Sequence, residues 1–363
     1  MTPRERMLTA LNMGIPDRVP TTIHQWQPYH LTTFMGGMTD LEAFQAVGLD
    51  AAITIWDAND EKTTPEWQVD ARTTPLEENH SIIDYTITTP GGVLTQRDEA
   101  NDKTTWTVEY LVKSPEDMLL AKKYLPVPRL NREFVSARKE ELADYGILRG
   151  LVFGEQAGPW QHAASLVGVE RLILATFDDP AWVHEFLAAL TEKKLQFIEQ
   201  SLAGAEFDLI EMGGGAASST VISPKIFRNF CLPYDRRLHD ALHDVGHKLV
   251  YHTCGGMMAI LDLIVENGCD ASETISPPDL GGDAVPEEIK RRIGNKVCLI
   301  GGMDQVNILT NGTPGQVKAE VHRLFEALGP GGGYMLSASD HFFDAPVENL
   351  RAFAEAGKEC LYD

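Results

Sequence analysis

The sequence predicts an α/β protein that folds as a (β/α)8 TIM barrel with an inserted antiparallel β-hairpin. Short apolar, β-branched runs alternate with helical patterns along most of the 363 residues, as is typical of parallel sheets. Eight such runs occur, the number that closes this kind of barrel. The alternative, a doubly wound sheet, would normally carry Gly-x-Gly-x-x-Gly after an early strand, and the chain has none.

The elements follow one another regularly. Thr2-Pro3 begins a capped helix, and later helices begin at Ser, Asp or Pro and commonly end at Gly. We expect strands beginning near residues 19, 50, 146, 207, 247, 270, 297 and 332. Helices are expected over 41–47, 165–175, 178–203, 223–245, 257–267, 286–293, 314–328 and from 347 to the end. Since no linker or low-complexity tract interrupts the pattern, residues 1–363 are expected to form one domain.

Residues 80–112 depart from this alternation. HSIIDYTITTPGGVLTQ alternates polar and apolar residues and turns at Pro90-Gly91-Gly92, and TTWTVEYLV could form the next strand. This pattern predicts an inserted antiparallel hairpin.

The composition excludes several classes of protein. A formal charge of −22 disfavours nucleic acid and anionic membranes as partners. No apolar run is long enough for a membrane span, and the N-terminus does not resemble a secretory signal. The five cysteines are scattered without Cys-x-x-Cys spacing, which predicts a cytoplasmic protein without disulfides.

Polar side chains recur where the predicted strands end. In a (β/α)8 barrel these ends meet at one face, where catalytic groups collect. We assign catalytic roles to Asp57, Glu155 and Glu211, although any one of them alone is more often a solvated loop residue. The set also includes His24, His252, Cys254, Glu273, Asp304, Ser339, Asp340 and His341.

The sequence HKLVYHTCGG is the most specific of these strand ends. His252 and Cys254 are two residues apart, so on a strand they share one face and could bind a zinc ion. The alternative is a buried histidine and cysteine that pack at a strand end. His239 and His243 are four apart on a charged helix, and we interpret them as a solvated face. Cys269 and Cys298 are expected in the core.

Several longer segments resemble the uroporphyrinogen decarboxylase superfamily, whose members are (β/α)8 barrels. They are RERMLTALNMGIPDRVP, LDAAITIWD, GPWQHAASLVGVERLILATFDDP, ISPKIFRNFCLPYDRRLHDALHDVGHKLVYHTCG, LIGGMDQ, NGTPGQV and APVENLRAF. The decarboxylases of this superfamily carry an Arg-rich segment after the first strand that binds substrate carboxylates. Residues 24–37 contain no Arg or Lys, although Asp57 falls on the position of the decarboxylases' essential aspartate.

The chain is more similar to the cobalamin-dependent methyltransferases of that superfamily. The resemblance implies that His252 and Cys254 are zinc ligands and that a separate corrinoid-binding protein carries the methyl group on cobalt. The third ligand of that branch is a cysteine after the eighth strand, where this chain has Ser339. Asp340, His341, Glu211 or Glu273 could replace it, or no zinc binds. We expect His341, because it would point the same way as Ser339 if the strand continued.

We therefore expect a zinc-dependent methyltransferase that moves a methyl group between a small methyl donor or thiol acceptor and a corrinoid (cobalamin) held by a partner protein. Trp26, Trp56, Asp304 and Phe342 are the expected substrate-binding residues, with ordinary packing as the alternative for each aromatic ring. The other functions left open are a uroporphyrinogen decarboxylase-type reaction and an inactive barrel that binds a small ligand. The identity of the substrate and the direction of transfer stay open.

Overall fold

Eight parallel strands surround a central axis in chain order. The computed structural model describes residues 1–56, 59–60, 63–154 and 158–362. In it, each strand from the second to the seventh pairs with the next, and the eighth pairs with the first. The predicted barrel is confirmed. Its strands are Thr21–Thr22, Ala51–Thr54, Gly146–Leu151, Leu209–Gly213, Leu249–His252, Ala271–Thr274, Cys298–Met303 and Tyr334–Ala338.

Asp50 connects the first and second strands, which do not form a ladder with each other. Its backbone N–H donates to the Thr21 carbonyl at 2.9 Å, and its carboxylate accepts from the Thr21 N–H at 3.0 Å. Arg6 and Arg18 neutralise this buried carboxylate, each at 2.9 Å. A side chain thus completes the barrel where its backbone ladder is interrupted.

The helices surround the strands largely as predicted. Capping boxes at Thr2, Thr39 and Thr313 begin three of them. The α-helices are Pro3–Leu11, Pro28–Phe34, Asp40–Val47, Pro115–Tyr124, Arg132–Leu142, Pro159–Val167, Val169–Asp178, Pro180–Phe197, Pro224–Ile226, Leu232–Asp244, Leu261–Glu266, Pro286–Ile293, Pro314–Leu328 and Val347–Glu359. Single turns of 3-10 helix occur at Ala143–Tyr145, Gly215–Ala217 and Pro278–Leu280, and π-helical turns at Ile198–Leu202, Phe227–Cys231 and Gln305–Thr310.

Three expectations about helices need correction. The helix expected over 165–175 is two helices that meet at Gly168, whose φ of 92° suits glycine. The one expected over 257–267 begins only at Leu261. His239 is buried and not solvated, because its Nδ1 bonds the Asn267 carbonyl at 2.8 Å, whereas His243 is exposed and pairs with Asp270.

The insertion is larger than the predicted hairpin. It is a four-stranded antiparallel sheet, called here the inserted sheet, with strands Gln68–Glu77, His80–Thr89, Gly92–Asn101 and Thr105–Glu109. The turn at Pro90-Gly91 is confirmed, since Thr89 pairs with Gly92. The first strand was missed because all ten of its residues are exposed, so no apolar alternation marks it.

The barrel interior is apolar near the N-terminal ends of the strands. The N-terminal helix inserts Met7, Ala10 and Leu11 against inward-facing strand residues that include Ile147, Leu209, Val250 and Ala271. Cys269 and Cys298 are buried as expected. None of the helices among the described residues has the length and apolarity that a membrane crossing requires.

Candidate active site

Next to this apolar layer, towards the C-terminal ends of the strands, the barrel interior contains a layer of charged side chains. Moving two residues along each strand keeps the side chain on the same face, so Ile147, Leu209, Val250 and Ala271 are followed inside the barrel by four polar residues. All four are nearly inaccessible to solvent: Arg149, Glu211, His252 and Glu273. The barrel geometry thus concentrates two carboxylates, a guanidinium and an imidazole at its centre.

Arg149 holds the two carboxylates together. One of its terminal nitrogens donates to Glu211 Oε2 at 2.8 Å and to Glu273 Oε1 at 2.7 Å. Burial alone would favour the neutral acid, but the charge of Arg149 and the contacts with His24 and His252 outweigh it and hold the pKa of Glu273 well below its usual range. Burial and the charge of Glu273 raise the pKa of Glu211, but the charges of His24 and Arg149 outweigh them and lower it. Both glutamates are therefore charged at neutral pH, and Arg149 compensates part of that charge.

His24 joins this cluster from the loop after the first strand. Its Nε2 lies 3.3 Å from Glu211 Oε2 and 3.6 Å from Glu273 Oε1, near enough for ion pairs though not aligned as hydrogen bonds. Burial lowers the pKa of His24, but the charge of Glu211 and the contacts with Glu273 have the larger effect and raise this pKa to about 9. Its other ring nitrogen, Nδ1, lies 3.0 Å from Nε2 of His341, a residue that is partly exposed at the mouth.

The best candidate for a metal site is formed by His252, Cys254 and Asp340. One ligand atom from each lies within 4.8 Å of the others. The Nδ1 of His252 lies 3.1 Å from Glu273 Oε1, while its buried Nε2 has no hydrogen-bond partner among the described residues. Imidazole nitrogen, thiolate sulfur and carboxylate oxygen are the kinds of ligand that zinc takes, and a carboxylate bonded to the other ring nitrogen of a zinc-binding histidine is common.

The backbone makes room for this cysteine. A Cβ at Gly215, in the loop after the fourth strand, would lie 2.7 Å from Cys254 Sγ. Any other residue at position 215 would crowd the sulfur, so this glycine keeps the space beside Cys254 Sγ open.

Asp340 lies nearer to His252 and Cys254 than the expected third ligand, His341. One ligand atom of Asp340 groups with those of His252 and Cys254, whereas His341 groups with His24 and Asp340. The strand ends at Ala338, and the chain then bends so that Asp340 Oδ1 accepts from the His341 N–H at 2.8 Å. The alternation of a strand therefore no longer applies. Ser339 is buried and its hydroxyl contacts the Ile275 carbonyl at 3.4 Å.

The other predicted site residues have separate positions. Glu211 lies in the charged layer, whereas Asp57 and Glu155 lie outside the described residues. Asp304 caps the turn that follows it, accepting from the Val306 and Asn307 N–H groups at 2.9 and 2.7 Å.

The predicted aromatic residues differ in exposure. Trp26 and Phe342 are buried and pack edge-to-face, with ring centroids 5.8 Å apart, which fits the packing interpretation. Trp56 has 39% of its surface exposed.

Sequence reasoning missed Arg149 and gave His24 and Glu273 no committed role. The available signal for Arg149 was an arginine in the middle of an otherwise apolar strand, GILRGL. A charge in such a strand is rarely buried without a partner, so opposite charges on neighbouring strands should have been sought.

Basic residues are scarce around the mouth of the barrel. Between each strand end and the following helix, only the loop after the second strand, which contains the inserted sheet, has any Lys or Arg. From that sheet Lys103 reaches the mouth, where Asp344 neutralises it at 2.7 Å and the Tyr29 ring lies 4.9 Å away. The entrance is therefore poorly suited to substrates with several anionic groups.

Comparison with known proteins agrees with this architecture. A family model described as uroporphyrinogen decarboxylase (URO-D) matches residues 130–360. A solved structure, a methyltransferase from Methanosarcina mazei, covers 99% of both chains with a TM-score of 0.67 at 17% sequence identity. At that identity the likeness concerns the fold.

Curated relatives of two kinds are similar to part of the chain. A methylated-thiol–coenzyme M methyltransferase of M. mazei is 30% identical over 203 residues, covering 55% of this chain and 51% of the relative. A uroporphyrinogen decarboxylase of Shewanella halifaxensis is 27% identical over 198 residues, covering 51% and 52%. The chain thus spans about half the length of the curated relatives it matches.

Proposed function

Because this chain belongs to the uroporphyrinogen decarboxylase family, we propose that it is a zinc-dependent methyltransferase that exchanges a methyl group between a small substrate and the cobalt of a separate corrinoid protein. The observation that carries this proposal is the cluster of His252, Cys254 and Asp340 at the mouth of the barrel. The name of the M. mazei relative, a methyltransferase for methylated thiols, supports the same reaction class.

The three ligand residues fit a zinc ion by their chemistry and by their surroundings. His252 would bind through Nε2, because Glu273 already occupies Nδ1. Cys254 would bind as a thiolate, and Asp340 would take the position that belongs to cysteine in the methyltransferases that the sequence resembles. A bound zinc ion would act as a Lewis acid on the sulfur, oxygen or nitrogen that gains or loses the methyl group.

The charged layer would orient this site. Arg149 fixes Glu273 at 2.7 Å, and Glu273 in turn fixes the ring of His252. An imidazole held in one orientation by a carboxylate is a stronger and better placed ligand than a free one. The buried network below the site is therefore assigned a positioning role.

His24 and His341 would handle the proton that methyl transfer requires. Removing a methyl group from a neutral ether or thioether leaves an anion that needs a proton, and methylating a thiol releases one. The 3.0 Å contact between His24 Nδ1 and His341 Nε2 links His24, whose Nε2 lies 3.3 Å from Glu211 Oε2, to the partly exposed His341. Protons could enter or leave along it without opening the barrel.

The alternative, decarboxylation of a porphyrinogen, fits the mouth less well. Such a substrate carries eight carboxylates and needs several cations for recognition. The loops around the mouth supply almost none, and Lys103 is already paired with Asp344.

Methyl transfer with a free corrinoid tests the proposed function. The zinc-loaded protein is incubated with methylcobinamide and a panel of neutral and anionic thiols, and demethylation of the corrinoid is followed by its absorbance change. The reverse direction is followed with Co(I) cobinamide and methyl ethers, thioethers or methylamines. We expect turnover in at least one direction that is lost in Cys254→Ala. No turnover in either direction, or equal turnover in Cys254→Ala, would refute the proposal.

A further inference from the structure

The first strand of the inserted sheet, Gln68–Glu77, is an edge strand that is open on one side. Among the described residues it pairs only with His80–Thr89, and all ten of its residues are exposed. We propose that this edge pairs antiparallel with the same strand of a second copy of the chain, around a two-fold axis at Ala71. Two four-stranded sheets would then form one continuous eight-stranded sheet.

The hairpin turn determines which backbone groups face outwards. Thr89 and Gly92 flank a two-residue loop, so they form a hydrogen-bonded pair. Hydrogen-bonding direction alternates along a strand, and even-numbered residues of His80–Thr89 therefore face the edge strand. Their opposite residues are also even-numbered, as in Asp70 with Thr86 and Arg72 with Asp84. The N–H and C=O groups of Val69, Ala71 and Thr73 consequently point away from the sheet.

The position of Pro75 agrees with this assignment. Proline has no N–H, and within sheets it is tolerated where that group would face away from the neighbouring strand. Pro75 is odd-numbered and lies opposite Ser81, so its nitrogen is on the free side and the inner ladder loses nothing. In the described part of the chain, no backbone hydrogen bond reaches the outward groups of Val69, Ala71 and Thr73.

Charge complementarity selects a self-pairing register. With the axis at Ala71, Asp70 of one copy lies opposite Arg72 of the other, and the reverse holds on the other side of the axis. Directly opposed residues of an antiparallel pair have Cβ atoms roughly 4.5–5.5 Å apart, near enough for two ion pairs. An axis at Asp70 or at Arg72 would instead place like charges opposite each other.

The same register satisfies the outward backbone groups. Ala71 would exchange two hydrogen bonds with Ala71 of the other copy, and Val69 would do so with Thr73 on each side. Pairing of identical edges is a recognised mode of association for exposed strands. The net charge of −22 opposes association of two copies, so the strand pairing is expected at physiological ionic strength, where that repulsion is screened.

Sedimentation velocity over a concentration series measures the mass of the particle and so tests the proposal. The salt concentration is about 0.15 M, so that long-range repulsion is screened. We expect the wild-type protein to approach twice the 40.1 kDa mass of the chain as concentration rises. Arg72→Asp, which places Asp70 opposite an aspartate, should shift the dissociation constant at least tenfold towards monomer. The double variant Asp70→Arg/Arg72→Asp should restore the dimer, because it exchanges the charges and keeps them complementary.

Two further variants separate pairing from folding. Ala71→Pro removes an outward N–H without affecting the inner ladder, so it should also favour monomer. Val93→Asp is the control, because it also introduces an aspartate on the sheet face that carries Arg72, but away from the edge strand. Val93 is 56% exposed, and this variant should leave the dimer unchanged. Circular dichroism confirms that each variant is folded. The proposal would be overturned if the wild-type protein stayed monomeric up to ~100 µM, a concentration well above a micromolar dissociation constant. It would also be overturned if the double variant dimerised no better than Arg72→Asp.

Discussion

The Nδ1 of His252 lies 3.1 Å from Oε1 of Glu273, and this contact determines which nitrogen of His252 is available to a metal. Nε2 is buried and has no hydrogen-bond partner in the described part of the chain. A buried polar atom without a partner is costly, and the proposed zinc ion would give this nitrogen a partner. Glu273 is itself fixed by Arg149, so the orientation of the site depends on residues below it.

Metal analysis should distinguish the candidate ligands. We expect about one zinc per chain, with zinc–nitrogen or –oxygen distances near ~2.0–2.2 Å and one zinc–sulfur distance near ~2.3 Å by X-ray absorption. Cys254→Ala and Asp340→Ala should each release most of the metal, because both remove a ligand. His341→Ala and Ser339→Ala are matched controls on the same loop and should retain more. Unchanged zinc content in Cys254→Ala would contradict the site, and greater loss in His341→Ala than in Asp340→Ala would support the sequence-based choice.

Glu273→Gln should weaken metal binding without removing a ligand. The amide keeps a similar shape but lacks the charge that makes His252 a strong ligand. Loss of such a supporting carboxylate typically costs about 10–100-fold in metal affinity. Competition with a chelator of known affinity measures the change. Equal zinc affinity in the variant and the wild type would show that Glu273 does not support the metal site.

Arg149→Met should destabilise the fold. The substitution leaves Glu211 and Glu273 as buried carboxylates without their shared cation, and breaking a buried ion pair by removing one partner commonly costs about 3–5 kcal/mol. Urea denaturation measures the free energy of unfolding. Arg351→Met, at an exposed arginine of the last helix, is the control and should change it by less than about 0.5 kcal/mol. Similar stabilities for the two variants would argue against the central role of Arg149.

Stability should depend on pH through Asp235. This carboxyl is buried and its Oδ2 lies 3.0 Å from the Tyr251 hydroxyl. Burial raises its pKa to about 7, although the Tyr251 hydrogen bond and Lys194 act in the opposite direction. Between about pH 4 and pH 7 the folded chain therefore keeps a proton that the unfolded chain has released, so this group's stabilising contribution is lost as the pH rises.

Asp235→Asn removes that titration and keeps a group that can bond Tyr251. The wild-type free energy of unfolding should fall, relative to the variant, by on the order of 3 kcal/mol between pH 4 and pH 7. Urea denaturation at several pH values measures this difference. Parallel pH profiles for the two proteins would show that Asp235 has an ordinary pKa.

Uroporphyrinogen should not be a substrate. The absence of Arg and Lys from residues 24–37 and the pairing of Lys103 with Asp344 leave few cations for its carboxylates. Incubation should give no coproporphyrinogen above background, as measured by chromatography of the oxidised products. A bacterial uroporphyrinogen decarboxylase provides the positive control. Efficient turnover by this chain would make decarboxylation its main activity.

The sequence by itself determined the barrel and the spacing of His252 and Cys254. Strand and helix patterns are local, and so are the caps at Thr2, Thr39 and Thr313. Strand alternation predicted that residues two apart would share a face. The strand ends at His252, and Cys254 follows two residues later, yet their ligand atoms lie within 4.8 Å of each other, so the predicted pairing is found in the structure.

Only the tertiary structure decided the remaining features of the site. Arg149 and Glu273 are 124 positions apart, and no local pattern relates them until the barrel places their strands around one axis. Asp340 and not His341 lies close to Cys254, because the chain bends after Ala338, which strand periodicity cannot anticipate. The edge strand Gln68–Glu77 is exposed on both faces, so burial leaves no alternation in its sequence and only pairing with its neighbour defines it.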